Sequence, residues 1–465
     1  MQISTEGRTT EELLYEGSWC LSTTPEELAA GKLSIDANSF GLLYLPIGLL
    51  PENNLDRHSV IYGTCGSRKF TLFGAERKGF PHNISRTDNN VEGEYWHSGL
   101  VIEGAHLNDL DTVRVVFYLF ETEHLMDWLN KPFVSDSLNG HQPTLTTEIP
   151  EDLHLAVDGL GEFLISWRTW HGHTGQTATI EITPEVKFAP LATLNLIDFL
   201  KNVLQPWLNF TSFGLDYSDT SKNVRIEYKT DGGPIRIRLH IGGLLTNPRT
   251  MRIYPHEQIL PFTKIEADID LIVKNWYLLS KTQQYPMEEF FSIFHDGEEI
   301  NERDFPRLVG ALESWHSHWK PDLTQIDQAA FATAKAALIQ QSDPQIADLL
   351  KTKLDNRPFL KTRLIDLIEE SSDHIKEAIS LVPNFISLCI STRNGMVHVD
   401  PDGKVFTRRQ KFWAHQILAS LFSSLILKQI GIPDSEIDAR LDKERGRCVP
   451  KYAANYIHGE LTAVE

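Results

Sequence analysis

Arg393, Asn394 and His398 fall together in the stretch STRNGMVHVD at 391–400. Arginine supplies a permanent planar cation, asparagine a donor and an acceptor, and histidine a proton that moves near neutral pH. Those three groups could hold an anion and transfer a proton beside it. The residues leading up to them follow a helical period, with Phe385, Leu388, Cys389, Thr392 and Arg393 at i, i+3, i+4, i+7 and i+8. Arg393 therefore points where a core residue should point. Such a guanidinium is costly unless it is paired or faces a wet pocket. Gly395 reads as the left-handed residue that stops this helix, with His398 in the turn beyond it.

The next helix adds positive charge. Thr407 and Gln410 form a capping box, and the stripe Phe412, Trp413, Ile417, Leu421, Leu425 follows. Arg408, Lys411 and His415 lie on one side of its first turns. Cations at a helix N-terminus oppose the macrodipole, so fold stability does not explain them. They read either as a solvated face or as a surface that tracks phosphates.

The chain as a whole sets limits on that chemistry. Its net charge of −19 speaks against a nucleic-acid partner, but the charge is unevenly spread. Residues 301–465 hold 21 Lys+Arg against 22 Asp+Glu, a net of −1, which leaves 23 against 41, or −18, for residues 1–300. Within 389–451 there are 11 basic and 7 acidic side chains, a local +4, so this run is the plausible anion site. The four cysteines, Cys20, Cys65, Cys389 and Cys448, form no CxxC pair, which argues against a disulfide framework or a structural zinc site and for a reducing compartment. The start MQISTEGRTTEELL lacks a charged and then apolar leader, and FGLLYLPIGLLP is too short to span a bilayer. The expected location is the cytoplasm, with no membrane partner.

Elements that could position the site divide along the same line. To about residue 185 the chain is strand-like, with KLSIDA, FGLLYLPI, SVIYGTC, KFTLFGA, YWHSGLVIEGA, TVRVVFYLF and EFLISWRTW separated by turn residues, and ETEHLMDWLN as a short helix. From 186 to 300 the reading is mixed α/β, including a hairpin at Asp231-Gly232-Gly233. From 301 to 465, ERDFPRLVGALESWHSHW, DQAAFATAKAALIQQ, FLKTRLIDLIEE, the stripe ending at Arg393, and RRQKFWAHQILASLFSSLILKQI make an all-α bundle. The fold class is α+β and multidomain, with a β-rich N-terminal part followed by helices. Trp19, Trp96, Trp167 and Trp170 are expected in the β-rich core. His171 and His173 share a strand face, but no third ligand accompanies them, so no metal is assigned. His316 and His318 read as packing or surface residues. No GxxxxGK[ST], GxGxxG or GxSxG lies at a strand-to-helix turn, which leaves P-loop, Rossmann and serine-hydrolase readings without support.

Arg393-Asn394-x-x-x-His398 resembles the RNxxxH signature of HEPN domains, helical bundles many of which are metal-independent endoribonucleases. RLVGALESWHSHW and LDNRPFLKTRLIDLIEE resemble the earlier helices of the ApeA-like group. GSWCLSTTPEELAAGKLSI, IYGTCGSRKFTLFGA and YWHSGLVIEG resemble the ApeA-type N-terminal domain. Val399-Asp400 departs from the H-x-Y ending of the HEPN toxins that are controlled by tyrosine adenylylation.

The resemblance implies a cytoplasmic homodimer, paired through the bundle, that cuts cellular RNA, tRNA among the candidates, during antiviral abortive infection. No cofactor is implied, and the N-terminal region would sense a phage-derived trigger. His398 would be the general acid or base, Arg393 the stabiliser of transition-state charge and Asn394 an orienter. Arg408, Arg409 and Lys411 would bind RNA. Glu313, one position off the stripe Leu308, Leu312, Trp315, Trp319, could pair with Arg393 and hold its fork. Two alternatives stand beside this reading. Arg393 and Glu313 could form a buried structural salt bridge with His398 only capping the helix. Or the chain could be a non-catalytic ligand- or protein-binding module dimerised through its bundle.

Overall fold

The computed structural model describes residues 12–36, 39–46, 59–78, 93–131, 134–139, 142–147, 149–174, 177–242, 252–295, 303–398, 405–441 and 450–462. The chain divides into two compact units, Met1–Lys274 and Asn275–Glu465. The sequence pattern changes from mixed to all-helical at about 300.

In the first unit, β1 (Leu13–Leu21), β2 (Ala29–Ile35), β3 (Gly41–Leu45), β4 (Ser59–Cys65), β5 (Arg68–Lys78) and β6 (Glu94–Ser98) close on themselves. The ring runs β1, β2, β3, β6, β5, β4 and back to β1, every pair antiparallel. Closure removes the free edges that an open sheet would expose. Alternation decides what goes inside: Leu33, Ile35, Leu43, Leu45, Ile61, Phe70, Leu72 and Trp96 fill the interior with Trp19. Trp19 lies opposite Gly63 across the β1–β4 pair, and a Cβ at residue 63 would sit 2.1 Å from its ring. Glycine is there because the indole occupies the space of a side chain.

Past the barrel, β5 also pairs with β7 (Leu100–Glu103). From β7 the same sheet continues through β16 (Gly233–Ile241), β15 (Ser221–Thr230), β8 (Arg114–Thr122), β13 (Thr177–Pro190), β12 (Gly161–Thr174) and β11 (Leu153–Val157), while β14 (Leu194–Asn195) pairs with β8. Strands β9 (Val134–Asn139) and β10 (Gln142–Thr147) form a separate hairpin. Thr230 pairs with Gly233, so Asp231-Gly232 is a two-residue hairpin turn.

Helix α1 (Leu125–Leu129) follows β8. A π turn at Leu200–Leu204 joins α2 (Leu196–Phe199) to α3 (Gln205–Leu215), and these pack aromatic rings on the sheet: Trp207 stacks on Phe163 at 5.0 Å and Phe199 on Tyr118 at 3.5 Å. Trp19 and Trp96 are fully buried, but Trp170 is 52% exposed, against expectation. Beyond Ile165, β12 has lost β11 as a neighbour, and Trp170 pairs across to Glu181 on a two-stranded ribbon with solvent on its faces. A short helix α4 (Phe262–Ile265) completes this unit, and the unit boundary falls inside α5 (Ile269–Thr282).

The second unit is helical throughout its described residues. It comprises α6 (Gln284–His295), α7 (Asp304–Trp319), α8 (Gln328–Gln341), α9 (Pro344–Lys353), α10 (Leu360–Glu370), α11 (Asp373–Ser380), α12 (Phe385–His398), α13 (Arg408–Gln429), α14 (Asp434–Leu441) and α15 (Pro450–Thr462). Helix α13 is its core. From Ile417 to Leu427 every residue is buried, because α7, α10, α11, α14 and α15 pack round it. Its interior serines are satisfied locally: Ser420 and Ser423 donate to the carbonyls of Gln416 and Ala419, and Ser424 accepts from the Ser372 amide at 3.0 Å. Two expectations fail here. Phe412, expected in the stripe, is 39% exposed, whereas Gln410 and Ala414 on either side of it are buried, so the buried face of this first part of α13 lies off the expected stripe. And α8 buries none of its residues; it forms a hairpin with α9, tied by Lys335 Nζ to the Lys351 and Leu354 carbonyls.

Candidate functional site

Three helices of the second unit build the site, with α7 packed on α10 and α12, and α10 on α12. The stripe on α12 behaves as its spacing requires. Phe385, Cys389 and Thr392 are buried, and Arg393 ends the stripe at the rim with 30% of its side chain exposed. Glu313 on α7, one position off that helix's buried Leu312, reaches the same rim. Its Oε2 lies 3.8 Å from Arg393 Nη2. Arg393 Nη1 donates to Asn394 Oδ1 at 3.1 Å, so the guanidinium is steadied from two sides.

Gly395 does not stop the helix; α12 runs through it to His398. Glycine inside a helix costs only about 1 kcal/mol, which the packing of the preceding turns offsets. His398 thereby sits on the helix itself, one turn past Asn394. Its side chain lies outside the description, as do those of His171 and His173, and Val399 and Asp400 lie outside the described residues.

A residue not singled out from the sequence completes the group. Arg363 on α10, only 9% exposed at its side chain, donates Nη1 to Ser317 Oγ at 2.8 Å and reaches Glu313 Oε1 at 3.3 Å. Its Nε donates to the Pro358 carbonyl at 2.8 Å. The signal was present: Arg363 precedes buried Leu364 and Leu367 on an apolar face, the same anomaly that exposed Arg393. One turn along α7, buried His316 Nε2 lies 2.9 Å from Asp366 Oδ2, and Lys320 reaches the same carboxylate at 3.4 Å. Burial pushes the His316 pKa down against the opposing pull of Asp366. Burial works against the Asp366 carboxylate too, but the His316 and Lys320 hydrogen bonds hold its pKa below the usual range. His318 is exposed and turns back to the Ser314 carbonyl.

The entry to α13 is fixed against this site. The Phe406 amide donates to Thr392 Oγ1 at 2.9 Å, and the Phe406 ring packs on Phe305 and Phe385. Thr407 Oγ1 then accepts from the Gln410 amide at 3.3 Å, and Gln410 Oε1 accepts from the Thr407 amide at 2.9 Å, the reciprocal cap expected from the sequence. Among known families, a model described as ApeA N-terminal domain 1 matches residues 14–276, and one described as Apea-like HEPN matches residues 307–436.

The chain belongs to the ApeA-like HEPN family. No curated protein and no solved structure gives a significant match. The HEPN match covers Glu313, Arg363, Arg393, Asn394 and His398 as well as the first turn of α13. Membership makes this, at family level, a HEPN nuclease-type defence protein. In that HEPN domain Arg408 and Arg409 are exposed and Lys411 is partly buried, with Arg409 Nη1 3.4 Å from Tyr456 Oη on α15. His415, placed on the same side by the sequence, is buried instead. No described helix is long and apolar enough to cross a membrane.

Proposed function

We propose that the protein is a metal-independent endoribonuclease that cuts cellular RNA, tRNA among the candidates, when phage infection triggers it. The observation that carries this reading is the placement of Arg393, a partly exposed cation held at a helix rim by Glu313 and Asn394, on the same helix as His398. Such an arginine is placed to receive an anion. In the cleavage step the 2′-oxygen bonds to phosphorus as the bond from phosphorus to the 5′-oxygen breaks. One proton leaves the 2′-hydroxyl and another reaches the departing 5′-oxygen. His398 handles one of these protons, Arg393 meets the charge that builds on the phosphorane oxygens, and Asn394 orients the Arg393 fork. Arg408, Arg409 and Lys411 guide the RNA backbone toward this point.

The working unit is a homodimer with the two motifs facing, in which the partner's His398 handles the second proton. The N-terminal region recognises the trigger. Incubating purified protein with total RNA in EDTA, alone and with infected-cell extract, tests the reading: fragments should appear with the extract at least. Intact RNA in every condition would instead favour a binding module.

A further inference from the structure

Glu313 is shared between two arginines, and the sharing is unequal. The inference that follows rests on the proposed nuclease site. Arg363 is nearly buried, with 9% of its side chain exposed, and reaches the carboxylate at 3.3 Å; Arg393 is 30% exposed and stands off at 3.8 Å. Arg363 is also fixed independently, through Ser317 and the Pro358 carbonyl, so it cannot follow Glu313 if the latter moves. A carboxylate paired with Arg393 alone would steady that arginine but cancel its charge. With Arg363 taking one oxygen, the group of two arginines and one glutamate keeps a net positive charge, and the exposed member carries it.

We infer that Arg363 is a positioning residue that holds Glu313 off Arg393, so that Arg393 is oriented without being neutralised toward a phosphate. Arg363 does not touch the RNA. Its loss leaves Glu313 free to close on Arg393.

The test uses the full chain and a 2′-O-methyl RNA oligonucleotide, which binds but cannot be cut by its own 2′-oxygen, alongside cleavage of unmodified RNA. Arg363→Gln keeps an amide donor for the Pro358 carbonyl. It should weaken oligonucleotide binding about tenfold, equivalent to about 1.4 kcal/mol. Adding Glu313→Gln to Arg363→Gln should restore affinity, and Arg363→Lys should stay near wild type. A merely structural arginine would lower the melting temperature in step with affinity and leave the salt slope of Arg363→Gln unchanged, whereas Glu313 closing on Arg393 flattens that slope and Glu313→Gln restores it. If Arg363→Gln does not fold, the salt dependence of the otherwise intact chain decides: Arg393→Ala should flatten the slope of log affinity against log salt by about 0.7, the share of one full cation. An unchanged slope, a double variant no better than Arg363→Gln, or Arg363→Gln at wild-type affinity overturns the inference. Binding without cleavage overturns the nuclease reading and leaves this one judged on affinity; absence of binding overturns both.

Discussion

Arg393 sits where loss of its charge should cost function far more than stability. Its pairing with Glu313 is partly exposed and long at 3.8 Å, and exposed pairs contribute about 1 kcal/mol or less. Arg393→Ala and His398→Ala should each abolish cleavage while the thermal transition moves by no more than about 4 °C. A drop of tens of degrees for Arg393→Ala would return it to the role of a structural ion pair. The link from Arg393 to Glu313 was legible because each lies beside a helical stripe whose phase can be counted. Arg363 is as anomalous on its own stripe and pairs with the same Glu313, 50 residues away, but it lies outside the RNxxxH motif that marks Arg393.

A second residue predicts a pH response. Burial beside Phe291 and Phe294 lowers the His295 pKa to about 4. The folded state thus holds His295 neutral, while the unfolded chain takes up the proton below about pH 6.5. The stabilisation is complete above that value and is lost as pH falls toward about 4, by up to about 3 kcal/mol. His295→Phe should flatten the fall of the melting temperature between those two pH values relative to wild type; an identical fall would show that His295 is not held neutral.

Among the elements, the start of α13 has the clearest sequence origin and a measurable share in stability. Thr407→Ala removes one half of the reciprocal cap and should cost about 1 kcal/mol, read as a lower denaturant midpoint with unchanged slope. Because Phe406 is tied to Thr392, the same variant should loosen the basic first turn and weaken RNA affinity; full affinity would separate that turn from the site. Elements with a strong apolar period were legible, as α7 and α10 are, and α13 adds a clear cap. Those lacking such a signal were not. In β13, TATIEITPEVKFAP, Pro184 and the charged Glu185 break the alternation, yet Pro184 pairs with Trp167 and Glu185 is neutralised by Arg168. Helix α15 buries Ala453, Ala454 and Ile457 against its neighbours, and small residues give little hydrophobic signal. The run through Gly395 was misread because glycine marks a helix end only when the packing behind it is weak.

Charge is unevenly divided along the whole chain. Residues 1–300 carry −18 and residues 301–465 only −1, so the proposed RNA substrate would be repelled by the former and least opposed along the run from 389 to 451. Deleting the acidic N-terminal region should raise basal RNA binding if it masks that run, and an inert helical fragment would remove the idea of masking. Pairing two chains beside α12 would double the arginines and supply a second His398. Mass in solution should therefore be that of a dimer, and activity should fall on dilution together with the dimer population. A fully active monomer at nanomolar concentration would contradict the paired site.

Cleavage by the RNA's own 2′-oxygen at Arg393 and His398 would be recorded in the ends of the fragments. Total RNA treated in EDTA with wild-type protein and infected-cell extract should yield 2′,3′-cyclic phosphate ends that vanish with either His398→Ala or Arg393→Ala. Fragments bearing 3′-hydroxyl and 5′-phosphate ends, or cyclic ends that persist in both variants, would contradict it.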